Sequence, residues 1–151
     1  MAQIKLTEQQ LNSLIAESIN RILKEERSND IDSKIVNLIS YLHNAQKPVR
    51  EIHWNTNEYA LHMVTDETID ALCEWEDSLA ETFISDRDVT LLINDTKPSS
   101  KEYKSIMSEL CDMASEIKES ISDKKEYDNT CAVLDEILEK SNQLLYKNQL
   151  K

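Results

Sequence analysis

The chain contains no glycine. Glycine supplies the positive φ angles and close backbone approaches that tight hairpins, β-bulges and phosphate-binding loops need. A sequence without it argues against a β-rich fold, a P-loop or a dinucleotide-binding site. Only two prolines, Pro48 and Pro98, interrupt a sequence rich in Leu, Ile, Glu, Lys, Ser and Asp. These features together predict an all-α protein.

The length and charge of the chain narrow its class further. Its 151 residues suit one domain with one core. The net charge of -12 attracts cations and repels nucleic acid and anionic membrane, so neither is expected as a partner. Three cysteines, an odd number, indicate reduced thiols, and no apolar run resembles a membrane span or a signal peptide. We therefore expect a soluble, cytoplasmic protein.

The first residues carry the signals of a helix start. In "IKLTEQQLNSLIAESINRIL", Thr7 is placed as the N-cap and Gln10 as its partner in a capping box. An apolar stripe follows, formed by Leu11, Leu14, Ile15, Ile19 and Ile22. The next ten residues, "KEERSNDIDS", are polar and are interpreted as a linker. The pattern predicts an N-terminal amphipathic helix in residues 1–25, which we call the leader, attached to a main domain at residues 31–151.

The main domain shows four further helical patterns. They cover about residues 32–55, 58–86 and 100–120, and a last segment after the polar turn near "SDKKE". Each has one apolar face, and an irregular stretch separates the second from the third. Amphipathic helices of this length bury their apolar faces by packing on one another. We predict an antiparallel four-helix bundle.

The second of these helices carries a polar stripe beside its apolar face. At 100° per residue, His62, Asp66, Asp70, Asp77 and Glu81 share an arc of about 100° without a lysine or arginine. Aligned carboxylates repel one another, and a divalent cation removes that repulsion. A mixture of imidazole and carboxylate suits iron, manganese or zinc better than magnesium or calcium. The alternative is that the arc is the solvated face of an acidic helix.

A second histidine decides how this stripe is interpreted. His53 precedes His62 by nine residues, which on one unbroken helix would turn about 900° and place the two on opposite sides. The residues between them include Asn55, Thr56 and Asn57, which favour turns and helix caps. A turn there would put the two histidines on neighbouring helices, facing each other.

These residues resemble the Dps family of the ferritin-like superfamily. Dps proteins have a His-Trp-Asn at the end of the first bundle helix, as in His53-Trp54-Asn55. Asp66, Asp77 and Glu81 follow His62 by four, fifteen and nineteen residues, in the Dps register, and "DSLAE" matches the family's Asp-x-x-Ala-Glu. The spacing between the histidines is shorter here than in Dps, which has a glycine in that loop.

The resemblance implies a ferritin-like bundle with a di-iron site at a two-fold dimer interface, with zinc or manganese as alternatives. His53 and His62 would come from one subunit, and Asp77 and Glu81 from its partner. Asp66 would be either a ligand or a hydrogen-bond partner that orients a histidine. Trp54 would lie beside the metal and quench oxidising radicals, unless it is a plain core residue. The implied activity is Fe(II) oxidation by peroxide or oxygen, in a homodimer or a dodecameric cage that stores iron and protects against oxidative stress.

A different function stays open. The shorter histidine spacing, over about residues 35–85, resembles uncharacterised bacteriophage proteins, and residues 1–25 resemble leaders of other phage proteins. The bundle would then be a virion structural or cargo protein that docks through its leader, located in the host cytoplasm or in a virion. Two residues are interpreted without a metal role. His43 is predicted to be a satisfied helix histidine, and Cys73 a small core residue.

Overall fold

The computed structural model describes residues 5–150, except for the side chain of Ser28. It contains four α-helices: α1 Glu8–Asn55, α2 Tyr59–Arg87, α3 Tyr103–Ile121 and α4 Asp128–Asn148. A 3-10 turn, Lys125–Tyr127, leads into α4, and there is no strand within the described residues. The all-α prediction is confirmed. Residues 1–4 and 151, the outer ends of the two predicted domains, lie outside the described part of the chain.

The chain divides into two compact units, Met1–Ser33 and Lys34–Lys151. In the first unit the predicted capping box is present. The Thr7 backbone N–H donates to Oε1 of Gln10 at 3.0 Å, and the Gln10 N–H donates to Oγ1 of Thr7 at 3.1 Å. These two bonds satisfy donors at the start of α1 that have no partner within the helix. The apolar stripe that follows is solvent-exposed: Leu11, Leu14, Ile15, Ile19 and Ile22.

The predicted linker is wrong as a secondary-structure assignment. Residues 24–33 are helical, and α1 continues without a break from Glu8 to Asn55. The segment "KEERSNDIDS" lacks glycine and proline, and Lys, Glu and Arg are good helix formers. Its polar side chains indicate that the segment is exposed to solvent, and an exposed helix fits that pattern as well as a loop does.

The second unit is a four-helix bundle with one core. Each helix buries the face that its apolar periodicity predicts, and the core includes Ile35, Leu38, Leu42, Val49, Leu72, Trp75, Leu79, Phe83, Ile106, Met107, Leu110, Ile117, Leu134, Ile137 and Leu144. Full burial of one such side chain contributes about 1.5–3 kcal/mol, so these side chains are the main source of stability. Ile52, Leu138 and Leu145 lie beside these buried faces and are half-buried.

Every helix of the bundle contacts two others. Helix α4 packs against both α2 and α3. The Tyr41 hydroxyl of α1 donates to the carbonyl oxygen of Ile106 on α3 at 2.8 Å. His43 of α1 lies 2.6 Å from Glu76 on α2. The helices therefore surround the core in the cyclic order α1, α2, α4, α3.

At the end of α2, an aspartate occupies the position where glycine commonly terminates a helix. Asp88 follows the helix with φ 51° and ψ 51°, the left-handed conformation that glycine usually adopts at this position. Its backbone N–H donates to the carbonyl of Ile84 at 2.9 Å. Asp is one of the few residues that tolerate this conformation. The chain then runs without regular structure through residues 88–102 before α3 begins.

No helix within residues 5–150 combines the length and the apolar character that crossing a membrane requires.

Candidate functional site

The site begins at the turn between α1 and α2, where the sequence predicts one. Helix α1 ends at Asn55 and α2 begins at Tyr59. The Thr56 hydroxyl accepts a hydrogen bond from the backbone N–H of Glu58 at 3.1 Å, which stabilises the turn. His53 lies in the last turn of α1 and His62 in the first turn of α2. The two histidines therefore face each other across the helix pair, as predicted.

The two imidazole rings are stacked. Their centroids are 4.2 Å apart and their planes differ by 16°. Each ring also binds the backbone of the other residue: Nδ1 of His53 lies 2.9 Å from the carbonyl oxygen of His62, and Nδ1 of His62 lies 3.0 Å from the carbonyl oxygen of His53. The pair is thus held by two reciprocal hydrogen bonds across the turn.

These hydrogen bonds determine which ring nitrogen can bind a cation. A carbonyl oxygen only accepts, so Nδ1 of each histidine must carry the proton and donate. In a neutral imidazole the other nitrogen, Nε2, then keeps its lone pair. Hydrogen bonding of Nδ1 to a backbone carbonyl is a usual way in which proteins orient a histidine that ligates a metal. Both Nε2 atoms therefore suit an imidazole-binding ion such as iron, zinc or manganese.

Thr65 fixes the position of His53. Its Oγ1 atom lies 3.2 Å from Nδ1 of His53 and donates to the carbonyl of Leu61 at 2.7 Å. Thr65 is fully buried, so this hydroxyl cannot exchange its partners for water. The histidine pair therefore rests on a rigid element, as a ligand-binding pair requires.

The carboxylates of the predicted stripe lie on the outer face of α2. Asp66, Asp70, Asp77 and Glu81 are all exposed. His62 and Asp77 are fifteen residues apart on α2, and a rise of about 1.5 Å per residue separates them by about 22 Å. One chain therefore cannot bring both side chains to one ion. Within residues 5–150, no group of three or more His, Cys, Asp or Glu side chains is arranged to hold a metal. One subunit brings together the histidines alone.

Trp54 and Tyr59 lie between the two histidines in sequence and are strongly exposed. The exposed fraction is 70% for Trp54 and 79% for Tyr59. The alternative that Trp54 is a core residue is therefore wrong. Large exposed aromatic side chains are typical of surfaces that contact a partner.

A second polar cluster lies further along the same two helices. Nδ1 of His43 and Nε2 of Gln46 each lie 2.6 Å from a carboxylate oxygen of Glu76. The Cys73 thiol donates to Oε1 of Gln46 at 3.4 Å and is solvent-exposed, so its prediction as a core residue is wrong. His43 is a hydrogen-bonded helix histidine, as predicted. Sequence reasoning missed Gln46 and Glu76, although the spacing of His43 and Gln46 places both on one face of α1.

Comparison with known proteins identifies a family. The family described as "Family of unknown function (DUF5856)" matches residues 53–147. This match covers more than half of the chain, so the chain belongs to that family. It begins at His53 and includes α2 and α3 and nearly all of α4. No curated protein and no solved structure matches the chain.

Proposed function

We propose that the protein is a ferritin-like metal-binding protein that binds Fe(II) between two subunits and oxidises it. The observation that carries this proposal is the stacked pair of His53 and His62, whose reciprocal hydrogen bonds leave both Nε2 lone pairs available. A pair of histidines oriented in this way ties α1 to α2 and also presents both Nε2 atoms to a ligand. It is well suited to holding a transition-metal ion.

The contacts between helices support a ferritin-like topology. His43 lies beside Glu76 whereas His53 lies beside His62, so α1 and α2 run in opposite directions. The same argument makes α1 and α3 antiparallel, because Lys34 pairs with Glu116 and Tyr41 with Ile106. Helices α2 and α3 then point the same way. Residues 88–102 must return along the bundle between them, and a single long crossover is the mark of ferritin-like bundles.

A second subunit would complete the ligand set. If two α2 helices pack antiparallel around a two-fold axis near Asp70, His62 of one faces Asp77 and Glu81 of the other. Such an isologous contact repeats every interaction and creates two equivalent sites. The exposed carboxylates of α2 then have a partner, and the bound cations offset their mutual repulsion. The proposed assembly is at least a homodimer, with a dodecameric cage as the larger alternative.

The chemistry divides between two kinds of ligand. Imidazole nitrogens bind Fe(II), and carboxylate oxygens stabilise the Fe(III) product. Each of two Fe(II) ions gives one electron to hydrogen peroxide, which takes up two protons and leaves as two water molecules. Trp54 lies next to His53 and is exposed, so it can donate an electron to a radical that escapes this reaction.

Iron oxidation by variants of α2 tests the proposal. Purified protein is mixed with Fe(II) and hydrogen peroxide, and Fe(III) formation is followed by absorbance. We expect His62→Ala and Asp77→Ala to lose at least about tenfold in rate, because each removes a ligand. Asp86→Ala is the matched control, since Asp86 is exposed on the same helix but on a different side. Equal rates in all four proteins, or no rate above that of free iron, would contradict the proposal.

A second function is favoured by the exposed stripe of the leader. Its large apolar side chains, such as Leu11 and Ile19, are about half exposed on a capped helix. Exposed apolar stripes on helices usually serve to bind a partner. The protein would then be a virion structural or cargo protein that docks through residues 1–25. A variant without His53 and His62 should still associate with the virion, whereas Leu14→Glu should not. These two results together would favour this function over the enzymatic one.

A further inference from the structure

A second candidate site lies beside α1, under the segment of residues 88–102. Irregular segments of this length are uncommon in compact domains and usually have a function or are disordered. This one is held at several points. Asn44 of α1 donates to the carbonyls of Asn94 and Thr96 at 3.0 and 2.8 Å. The backbone N–H of Asn94 donates to the hydroxyl of the fully buried Ser40 at 3.0 Å.

The far end of the segment is fixed to α3. Oε2 of Glu109 accepts a hydrogen bond from the backbone N–H of Ser99 at 3.1 Å and lies 3.2 Å from the Tyr41 hydroxyl. Burial acts to raise the pKa of the Glu109 carboxyl, but hydrogen bonds from Ser99 and Tyr41 outweigh it and lower that pKa. Glu109 is therefore ionised at neutral pH and anchors the segment. A segment held at Asn94, Thr96 and Ser99 is ordered next to α1, which is what a binding site requires.

Between this segment and α1 lies a cavity of about 900 Å³. Cavities of about 300–1,000 Å³ are typical of small-molecule sites. Lys47 of α1 lines one side, and Lys97 and Lys101 of the segment line the other. Glu51 and Asp95 also line it, so the formal charges of these five side chains sum to about +1. The net charge of the whole chain is -12, so the positive charge around this cavity is opposite in sign to that of the chain.

We propose that this cavity binds a small, hydrophilic anion that carries phosphate or several carboxylates. Lysine ammonium groups on opposite walls can contact separate oxyanion groups of one ligand, and Lys is a common phosphate binder. Ser99 and Ser100 line the same cavity and add hydroxyl donors. The carboxylates of Glu51 and Asp95 can accept hydrogen bonds from hydroxyl groups of the ligand. The net charge of -12 repels nucleic acid, so a small anion is the favoured ligand.

The test uses the full chain with pyrophosphate and with citrate, titrated by calorimetry at constant ionic strength. We expect the triple variant Lys47→Ala, Lys97→Ala, Lys101→Ala to weaken binding at least about tenfold, since it removes the charged hydrogen-bond donors of the cavity. The matched control is Lys24→Ala, Lys104→Ala, Lys125→Ala. It removes the same charge from exposed positions outside the cavity and should stay within about twofold of wild type.

Binding of pyrophosphate alone assigns the cavity to phosphorylated ligands, and binding of citrate alone assigns it to polycarboxylates; equal binding supports the shared oxyanion chemistry. An equal loss in the two triple variants would overturn the proposal, because the effect would then be one of net charge. No binding of either probe by the wild type would also overturn it. If the cavity triple variant fails to fold, Lys97→Ala and Lys101→Ala are tested singly, and unchanged affinity in both refutes the site.

Discussion

The imidazole of His62 and the backbone carbonyl of His53 are joined by a hydrogen bond of 3.0 Å, and the reverse bond measures 2.9 Å. Together with the Thr56 turn, these bonds tie the end of α1 to the start of α2. The pair therefore has a structural effect that is separable from any ligand. A stability measurement in the absence of metal reports on that effect alone.

We expect His62→Ala to lower the free energy of unfolding by about 1 kcal/mol, the usual net value of a lost hydrogen bond. Urea unfolding with a chelator present measures this value. Met63→Ala is the control, because Met63 is the next residue and is 47% exposed; it should change stability by less than about 0.5 kcal/mol. Identical stability of His62→Ala and wild type would mean that the reciprocal bonds contribute nothing.

Mixing two inactive variants distinguishes a site within one subunit from a site shared by two. Consider a dimer of one His62→Ala chain and one Asp77→Ala chain. One of its two sites is intact, because the Asp77→Ala chain supplies His62 and the His62→Ala chain supplies Asp77. After subunit exchange at equal amounts, half of the dimers are mixed and each has one intact site, so about a quarter of wild-type oxidation should return. A site confined to one chain would give no recovery. The result therefore tests the two-fold arrangement directly.

The pH dependence of stability follows from Glu109. Hydrogen bonds lower the pKa of its carboxyl in the folded protein, so its contribution is complete above the ordinary value of 4.5. That contribution is lost as the pH falls through the folded pKa, because protonation removes the charge that accepts from Ser99. We expect Glu109→Gln to cost about 1 kcal/mol at pH 7 and progressively less below pH 4.5. Glu119→Gln, exposed on the same helix, should cost nothing at either pH.

Local signals in the sequence were sufficient for several parts of this structure. The capping box of Thr7 and Gln10 and the turn at Asn55 to Asn57 involve residues close in sequence, and both are present. The meeting of His53 and His62 follows from that turn. The apolar periodicity likewise located the core faces of all four helices.

Other parts depend on contacts that leave no pattern in the sequence. The hydrogen bonds of Asn94 to Asn37 and Ser40 join residues more than fifty positions apart, and single polar residues have no periodicity to reveal such pairs. The cavity under the 88–102 segment depends on those bonds, so it could not be predicted. The polar stretch of residues 24–33 was misread because polarity alone does not separate an exposed helix from a loop.

The leader includes the first turns of α1. Its apolar stripe is exposed, so residues 8–25 bury little surface that could contribute to the bundle core. Deleting residues 1–25 should therefore leave the melting temperature within about 2 °C of wild type, because stability changes below 1 kcal/mol shift it by only a few degrees. Analytical ultracentrifugation should give the same subunit count for both proteins. A fall of more than about 5 °C, or a lower subunit count, would mean that the stripe is buried between subunits. It would then belong to the assembly and would not be a docking element for a separate partner.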